Sequence, residues 1–417
     1  MPAVVDAAAD EALVAILTDP QTRADPYPSY RLLQQRAPVL RSSLGMVVLS
    51  RYDDGIAVLR DPRLGRGLVG RTRIPSTRQA MHAQAGDPEL RQEFFDRSGG
   101  NMLFTDPPDH TRLRRLVSRA FTPRRVAELR PRVEAMVEQL LETMAEAGQV
   151  DVMKTLAFPL PNAVIAELVG VPEVDRAGFQ DLVRAGSAGI EPIVDDATVT
   201  AAMAAQDQLG AYFTELLAER RQRPAADLLS GLAEAREADD ALSDEEIVST
   251  AILLFAAGFE TTTNLIGNGL LALLRHPDQL ARLRADPELT PTAVEELLRW
   301  DSPVQVNFRT ALTDAEVAGE MLDPGQGVLV LQGAANHDPD HFTDPDTLDV
   351  GRADNVPLSF GWGAHHCIGA ALARMEGEVV FGALTRRFER MELLDDEPEW
   401  RNGITLRGLV RLPVAFS

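Results

Sequence analysis

Cysteine is almost absent from the 417 residues: Cys367 stands alone. No disulfide can form within the chain, which suits a reducing compartment. Lysine is equally scarce, with Lys154 the single example, so nearly all positive charge is arginine. Acids outnumber bases by 63 to 41, leaving a net charge of −22. That balance argues against general binding to nucleic acid or to an anionic membrane. Long apolar runs are also missing. The longest, around 251–259, stops at Glu260, well short of the ~18–20 residues a membrane span requires. The first residues carry acids at Asp6, Asp10 and Glu11, where a secretory leader has a basic region. The expectation is a soluble, cytoplasmic protein without an anchor. With no internal repeat or low-complexity linker, 1–417 is expected to form one domain.

What is present is an ordinary globular balance, 45% hydrophobic and 25% charged. Residues 25–37 open with prolines and predict a helix. Residues 39–49 predict two short strands around a Gly45 turn. The polar, arginine-rich and glycine-dotted stretch 66–100 predicts a long mobile loop, of the kind that covers a binding site. From about 105 to 300 the pattern is helical, punctuated by prolines. Ser243 and Glu246 have capping-box spacing and open the longest apolar helix, to about 274, which should cross the middle of the protein. Residues 304–331 predict short strands, 336–357 an irregular stretch, 368–387 a helix and 390–417 more strand. The fold class is mainly α with small β-sheets, an α+β protein with β-rich parts near 39–50, 304–331 and 390–417.

The chemistry concentrates in residues 358–370, LSFGWGAHHCIGA. Gly361 and Gly363 permit a tight turn. Cys367 follows and a helix begins at once, so a thiolate there would meet free N–H groups that lower its pKa. Phe360 and Ile368 give the sulfur an apolar wall, and Gly369 lets a flat group approach the backbone. Taken alone, a lone cysteine in a glycine-rich turn is more often an inert buried residue. A metal site built from His365, His366 and Cys367 is disfavoured, because adjacent residues cannot easily point at one ion.

FGWGAHHCIG resembles the haem-binding loop of the bacterial cytochromes P-450, Phe-Gly-x-Gly-x-His-x-Cys-x-Gly, at every specified position. The resemblance implies that fold, with a long central helix over a buried haem (heme b, iron protoporphyrin IX). It implies Cys367 as the axial metal ligand and His365 on a propionate, with Phe360, Gly361 and Gly369 around the cofactor. Residues 257–262, AGFETT, are similar to the family's oxygen-binding motif. Ala257 and Gly258 would then leave space beside the iron, while Glu260 and Thr261 relay protons. Read without the family, a charged Glu260 in mid-helix is costly unless it has a partner or a role, and the threonines can distort the helix by bonding carbonyls one turn back.

Glu296 and Arg299 share a helix face. As a surface pair they would contribute only ~0–1 kcal/mol, but they resemble the family's Glu-x-x-Arg pair that locks the core near the cysteine loop. Residues 106–115 resemble its propionate-binding helix, with His110 and Arg114 as donors. Arg309 matches another propionate arginine, and Leu103 falls at a cofactor contact. By position, Phe255, Ala256, Val306, Phe308 and Ile404 would line the substrate pocket. His337 stands where relatives often have arginine. His366, beside the ligand, is more often hydrophobic.

The activity implied is a monooxygenase that inserts one atom of O2 into an apolar small molecule, a secondary metabolite, terpenoid or steroid-like compound. Electrons would come from NAD(P)H through ferredoxin reductase and a ferredoxin, with Arg112, Arg115 and Arg119 helping to meet the acidic donor. A peroxide-driven peroxygenase would usually lack the Glu260–Thr261 pair. A non-catalytic haem sensor or carrier would have no reason to keep Thr261.

Overall fold

A computed structural model describes residues 3–67, 77, 86–97, 101–176, 178–237 and 240–417. The central helix, Asp244–Arg275, organises them. Its start is fixed as its spacing predicts: the Ser243 hydroxyl accepts from the Glu246 amide at 3.2 Å, and the Glu246 carboxylate accepts from the Ser243 amide at 2.8 Å. Every residue from Thr262 to Leu273 is buried. Helices Pro159–Val169, Phe179–Ala188, Asp196–Gln222, Thr290–Trp300 and Ala370–Arg387 pack around it. An amphipathic face explains an ordinary surface helix, whereas burial on all sides requires the near-continuous apolar sequence found here.

The main sheet has five strands in the order Val39–Arg41, Met46–Leu49, Gly327–Leu331, Val306–Ala311 and Leu64–Gly65. Met46–Leu49 runs parallel to Gly327–Leu331, and the other pairings are antiparallel. Gly45, at φ +75°, makes the predicted turn between the first two strands. Period-two alternation sends Val306 and Phe308 into one apolar cluster and Asn307 and Arg309 to the other face. A three-stranded sheet joins Met391–Leu393 and Pro413–Phe416 to Gln149–Asp151.

The expected loop 66–100 needs correction. Pro88–Arg97 is a helix that buries Arg91, Phe94 and Phe95. Its apolar positions are few, and its charged neighbours obscured them in the sequence. The remainder of that expectation, over 68–76, 78–85 and 98–100, lies outside the described residues. Among the described residues no helix is long and apolar enough to cross a membrane.

Candidate active site

Cys367 lies between the turn Gly363–His365 and helix Ala370–Arg387. The loop is folded by its own backbone: the Gly361, His366 and Cys367 amides donate to the Leu358, Gly363 and Phe360 carbonyls at 2.7, 3.1 and 2.9 Å. Gly361 and Gly363 take φ of +64° and +69°. A Cβ on Gly363 would stand 2.2 Å from the Leu59 carbonyl oxygen, so the helix Tyr52–Arg60 can approach only a glycine there.

The Cys367 side chain is accessible, and the space it faces is an internal cavity of about 390 Å³. Burial pushes its thiol pKa up, against the Gly369 amide, Arg114, Arg374 and the Ala370 amide. This corrects the sequence expectation of a lowered pKa: desolvation outweighs the helix start. A metal ion coordinated to the sulfur would remove the thiol proton outright. Among the described residues no three His, Cys, Asp or Glu side chains gather into a metal site. An ion held by Cys367 would need its other ligands from a group that brings them.

Cationic and hydrogen-bond-donating side chains converge along the cavity wall. Arg66, His110, Arg114 and His365 line it, and Arg309 is buried close enough to depress both histidines. The His110 and His365 ring centroids are 4.1 Å apart. Neither His110 ring nitrogen has a partner, although the residue is 2% exposed. Burial, then Arg114 and Arg66, lower its pKa to about 4. Burial, then Arg66 and Arg309, push that of His365 down further. Burial alone takes Arg66 down to about 10. The nearby carboxylate, Asp106, already accepts from the Arg66 and Gly67 amides at 2.7 and 2.9 Å. Buried donors this dense are stable against anions. One thiol, no second protein ligand and a cationic wall together fit a metal macrocycle with carboxylate substituents.

The central helix contributes Ala256, Ala257, Gly258, Glu260 and Thr261 to the same cavity. The Thr261 hydroxyl donates to the Ala257 carbonyl one turn back at 2.7 Å. Glu260 is buried and ion-paired through one oxygen to Arg401, and its other oxygen has no partner. Gly258 does line the cavity, but a Cβ there would meet Ile165 at 3.0 Å. Its smallness thus also seats helix Pro159–Val169.

Glu296 and Arg299 are fully buried and bidentate, at 2.8 Å for both contacts. Arg299 also donates to the carbonyls of Asn336, Pro345 and Thr347. Glu296 accepts from Arg352, Asn355 and the Asp349 amide. Asn336 passes this order to the cysteine loop, bonding Ser359 at 3.0 Å and the Leu358 amide at 2.8 Å. His337 is held between the Asp346 carboxylate and the Trp300 carbonyl, at 3.1 and 3.0 Å.

Of the predicted site residues, Leu103, His110, Arg114, Ala256, Ala257, Gly258, Glu260, Thr261, Val306, Phe308, Phe360, Gly361, His365, Cys367 and Gly369 all line the one cavity. Phe255, Ile404 and Arg309 are not among its lining residues. Phe255 belongs to an aromatic cluster, its ring centroid 5.2 Å from that of Phe179 and 6.3 Å from that of Phe213. One helical residue turns the side chain by about 100°, enough to exchange cavity for core. Ile404 packs into the N-terminal cluster, leaving Thr405 and Leu406 at the wall. Arg112 binds Asp240 and Glu246 at 2.9 and 2.6 Å. It ties helix Asp109–Ala120 to the start of the central helix and is not a spare cation for docking.

Arg401, the partner of Glu260, has no signal in the sequence, and Arg66 and Asn307 lie in stretches expected at the pocket without being singled out. Arg66 is one of several arginines in its segment, and nothing local distinguishes it. Arg114 reaches the cysteine loop directly, donating to the His366 carbonyl at 2.6 Å.

The family model described as Cytochrome P450 matches residues 195–416, more than half of the chain. Vitamin D(3) 25-hydroxylase of Pseudonocardia autotrophica is 41% identical over 94% of both chains. 6-Deoxyerythronolide B hydroxylase of Saccharopolyspora erythraea is 40% identical over 94% of this chain and 96% of its own. Among solved structures, P450BioI in complex with hexadec-9Z-enoic acid ligated acyl carrier protein superposes with a TM-score of 0.85, at 36% identity over 96% of this chain and 100% of that one. The loop, the acid–alcohol pair and the buried ion pair thus occur within a match over nearly the whole length, and the chain belongs to the cytochrome P-450 family of monooxygenases.

Proposed function

We propose that Cys367 is the thiolate ligand of a haem, and that the enzyme inserts one oxygen atom of O2 into a bulky, largely apolar molecule. The observation that carries this reading is the convergence of Cys367, the donors around His110 and the Glu260–Thr261 pair on one cavity. When bound, the haem supplies dioxygen activation and the oxidising power. The chain's own residues bind, orient and deliver protons. His110, Arg66, Arg114 and His365, with Arg309 beside them, would hold the propionates. Phe94, Leu103, Val183, Leu209, Val306 and Phe308 give the cavity an apolar lining that holds a hydrocarbon skeleton by dewetting. The substrates printed in the names of the two hydroxylases belong to those proteins; for this chain they support a secondary metabolite of similar bulk. Electrons reach the site from a separate redox partner, for which a ferredoxin supplied by NAD(P)H and a ferredoxin reductase is our assignment.

The reading is tested by the carbon-monoxide difference spectrum of the reduced protein, followed by product analysis under 18O2 for compounds that shift the ferric spin state. A red-shifted Soret band and one labelled oxygen per product are expected. Oxygen taken only from water or peroxide would defeat the monooxygenase assignment.

Thr261 and Glu260 act as a proton relay in this proposal. Thr261→Ala removes the hydroxyl at the Ala257 turn and is expected to lower product formed per electron consumed by about 100-fold, the lower end of the roughly 100- to 10,000-fold that a positioned acid–base group contributes. Reductant consumption should continue, with peroxide as the by-product. Fully coupled turnover in the variant would remove Thr261 from the relay. Glu260→Gln keeps a hydrogen-bonding contact to Arg401 but cannot ionise. Its rate should fall, with a larger solvent isotope effect.

A further inference from the structure

The segment between helices Phe179–Ala188 and Asp196–Gln222 passes over the cavity, and Ile190 lines it. The next residue, Glu191, is 9% exposed and engages two other walls at once. Its carboxylate accepts from three successive amides of the C-terminal segment: Ile404 at 2.9 Å, Thr405 at 2.9 and 3.2 Å, and Leu406 at 3.2 Å. Its carbonyl accepts from Arg91 at 3.2 Å, and the same guanidinium donates to Val194 O at 2.5 Å. Arg91 belongs to helix Pro88–Arg97, which leads into the lining residues Asn101–Phe104.

Successive amides pointing one way form a concave anion site. Here an acid of the same chain fills it. Other bonds also hold the C-terminal segment: Thr405 O accepts from the Gln305 amide at 2.9 Å, and Pro303 O accepts from the Arg407 amide at 2.9 Å. Glu191 therefore satisfies the three amides that these bonds leave over. A Cβ on Gly403 would meet the Leu406 carbonyl oxygen at 2.6 Å and the Glu191 carboxylate at 2.9 Å, so both the segment's own turn and the carboxylate need a glycine there. Burial pushes the Glu191 carboxyl pKa up while the amides of Thr405, Ile404 and Leu406 oppose that shift, as expected for a carboxylate held by hydrogen bonds more than by an ion pair.

We infer that Glu191 is a positioning residue that clasps the lid segment to the Thr405–Leu406 wall and to helix Pro88–Arg97, and thereby selects by bulk which molecules enter the cavity. The entry assay rests on the haem reading above; the clasp itself rests on the hydrogen bonds alone.

The test uses the haem-loaded protein and its Glu191→Ala and Glu191→Gln variants. Hydrogen exchange is followed at 404–406 and 186–194, and spectral association rates are measured for two probes, imidazole and the much larger clotrimazole. In Glu191→Ala, exchange at 404–406 should accelerate by about tenfold or more, the change expected when such hydrogen bonds are lost. The clotrimazole-to-imidazole rate ratio should rise at least threefold. Glu191→Gln keeps one acceptor oxygen and should fall between the two, and it carries the test if the alanine variant does not fold. A role in packing alone would lower the melting temperature while leaving the rate ratio at its wild-type value, and that result overturns the proposal. Unchanged exchange at 404–406 overturns it equally. If wild-type protein gives no azole spectrum the haem reading fails, while the exchange measurement still decides the clasp.

Discussion

Replacing Cys367 by serine should abolish the red-shifted Soret band of the reduced, carbon-monoxide-treated protein and leave the fold intact. The loop is closed by backbone bonds from the Gly361, His366 and Cys367 amides, none of which uses the sulfur. The substitution therefore removes one atom's chemistry and little structure. A serine hydroxyl does not ionise near neutrality, and it cannot push electron density as a thiolate does. Turnover should fall by more than about 100-fold, beyond the ~10–100-fold typical of losing an outer-shell partner. Circular dichroism and the melting temperature of the haem-free form should stay near wild type. A serine variant that kept the red-shifted band would remove Cys367 as the ligand.

The second large effect is expected at Arg299. Arg299→Met leaves Glu296 buried without its bidentate partner and leaves the carbonyls of Asn336, Pro345 and Thr347 each without this donor. Breaking one side of a buried pair costs about 3–5 kcal/mol. That is a large part of the roughly 5–15 kcal/mol that holds a typical domain folded. The variant should express mainly as insoluble or haem-free protein, with a denaturation midpoint far below wild type. Glu296→Gln should be nearly as damaging, because Arg352, Asn355 and the Asp349 amide share the same carboxylate. The double variant should lose less than the sum of the two, since both remove one network. A single variant within about 0.5 kcal/mol of wild type, the range of an ordinary surface change, would show that the network is dispensable.

Legibility of the site followed sequence distance. The cysteine loop was readable because its turn glycines, ligand and following helix are contiguous. The central helix was readable from its capping box and its long apolar pattern. The Glu296–Arg299 pair resembled a surface contact when taken alone. Its burial depends on Asn336, Thr347 and Arg352, which no local pattern connects to it. Arg66 lines the cavity with its backbone held by Asp106, 40 residues away, a contact no local pattern announces. Glu191 lies in a stretch expected near the pocket but was not singled out, since its carboxylate's partners are backbone amides 213 to 215 residues away and carry no side-chain signature. Phe255 failed for a finer reason: family position gave the right helix turn, and one residue of rotation decided between cavity and core.

The strand order of the main sheet also bears on how the chain is born. Met46–Leu49 emerges early from a ribosome, yet its neighbour Gly327–Leu331 lies some 280 residues later. During most of synthesis the early strands therefore hold only each other, and a two-stranded ribbon is marginal in water. The sheet, and with it the wall bearing Val306 and Phe308, closes late, after the helical body has had time to collapse. Cys367 itself is made 36 residues after that strand is complete, so the cysteine loop and the sheet both form late.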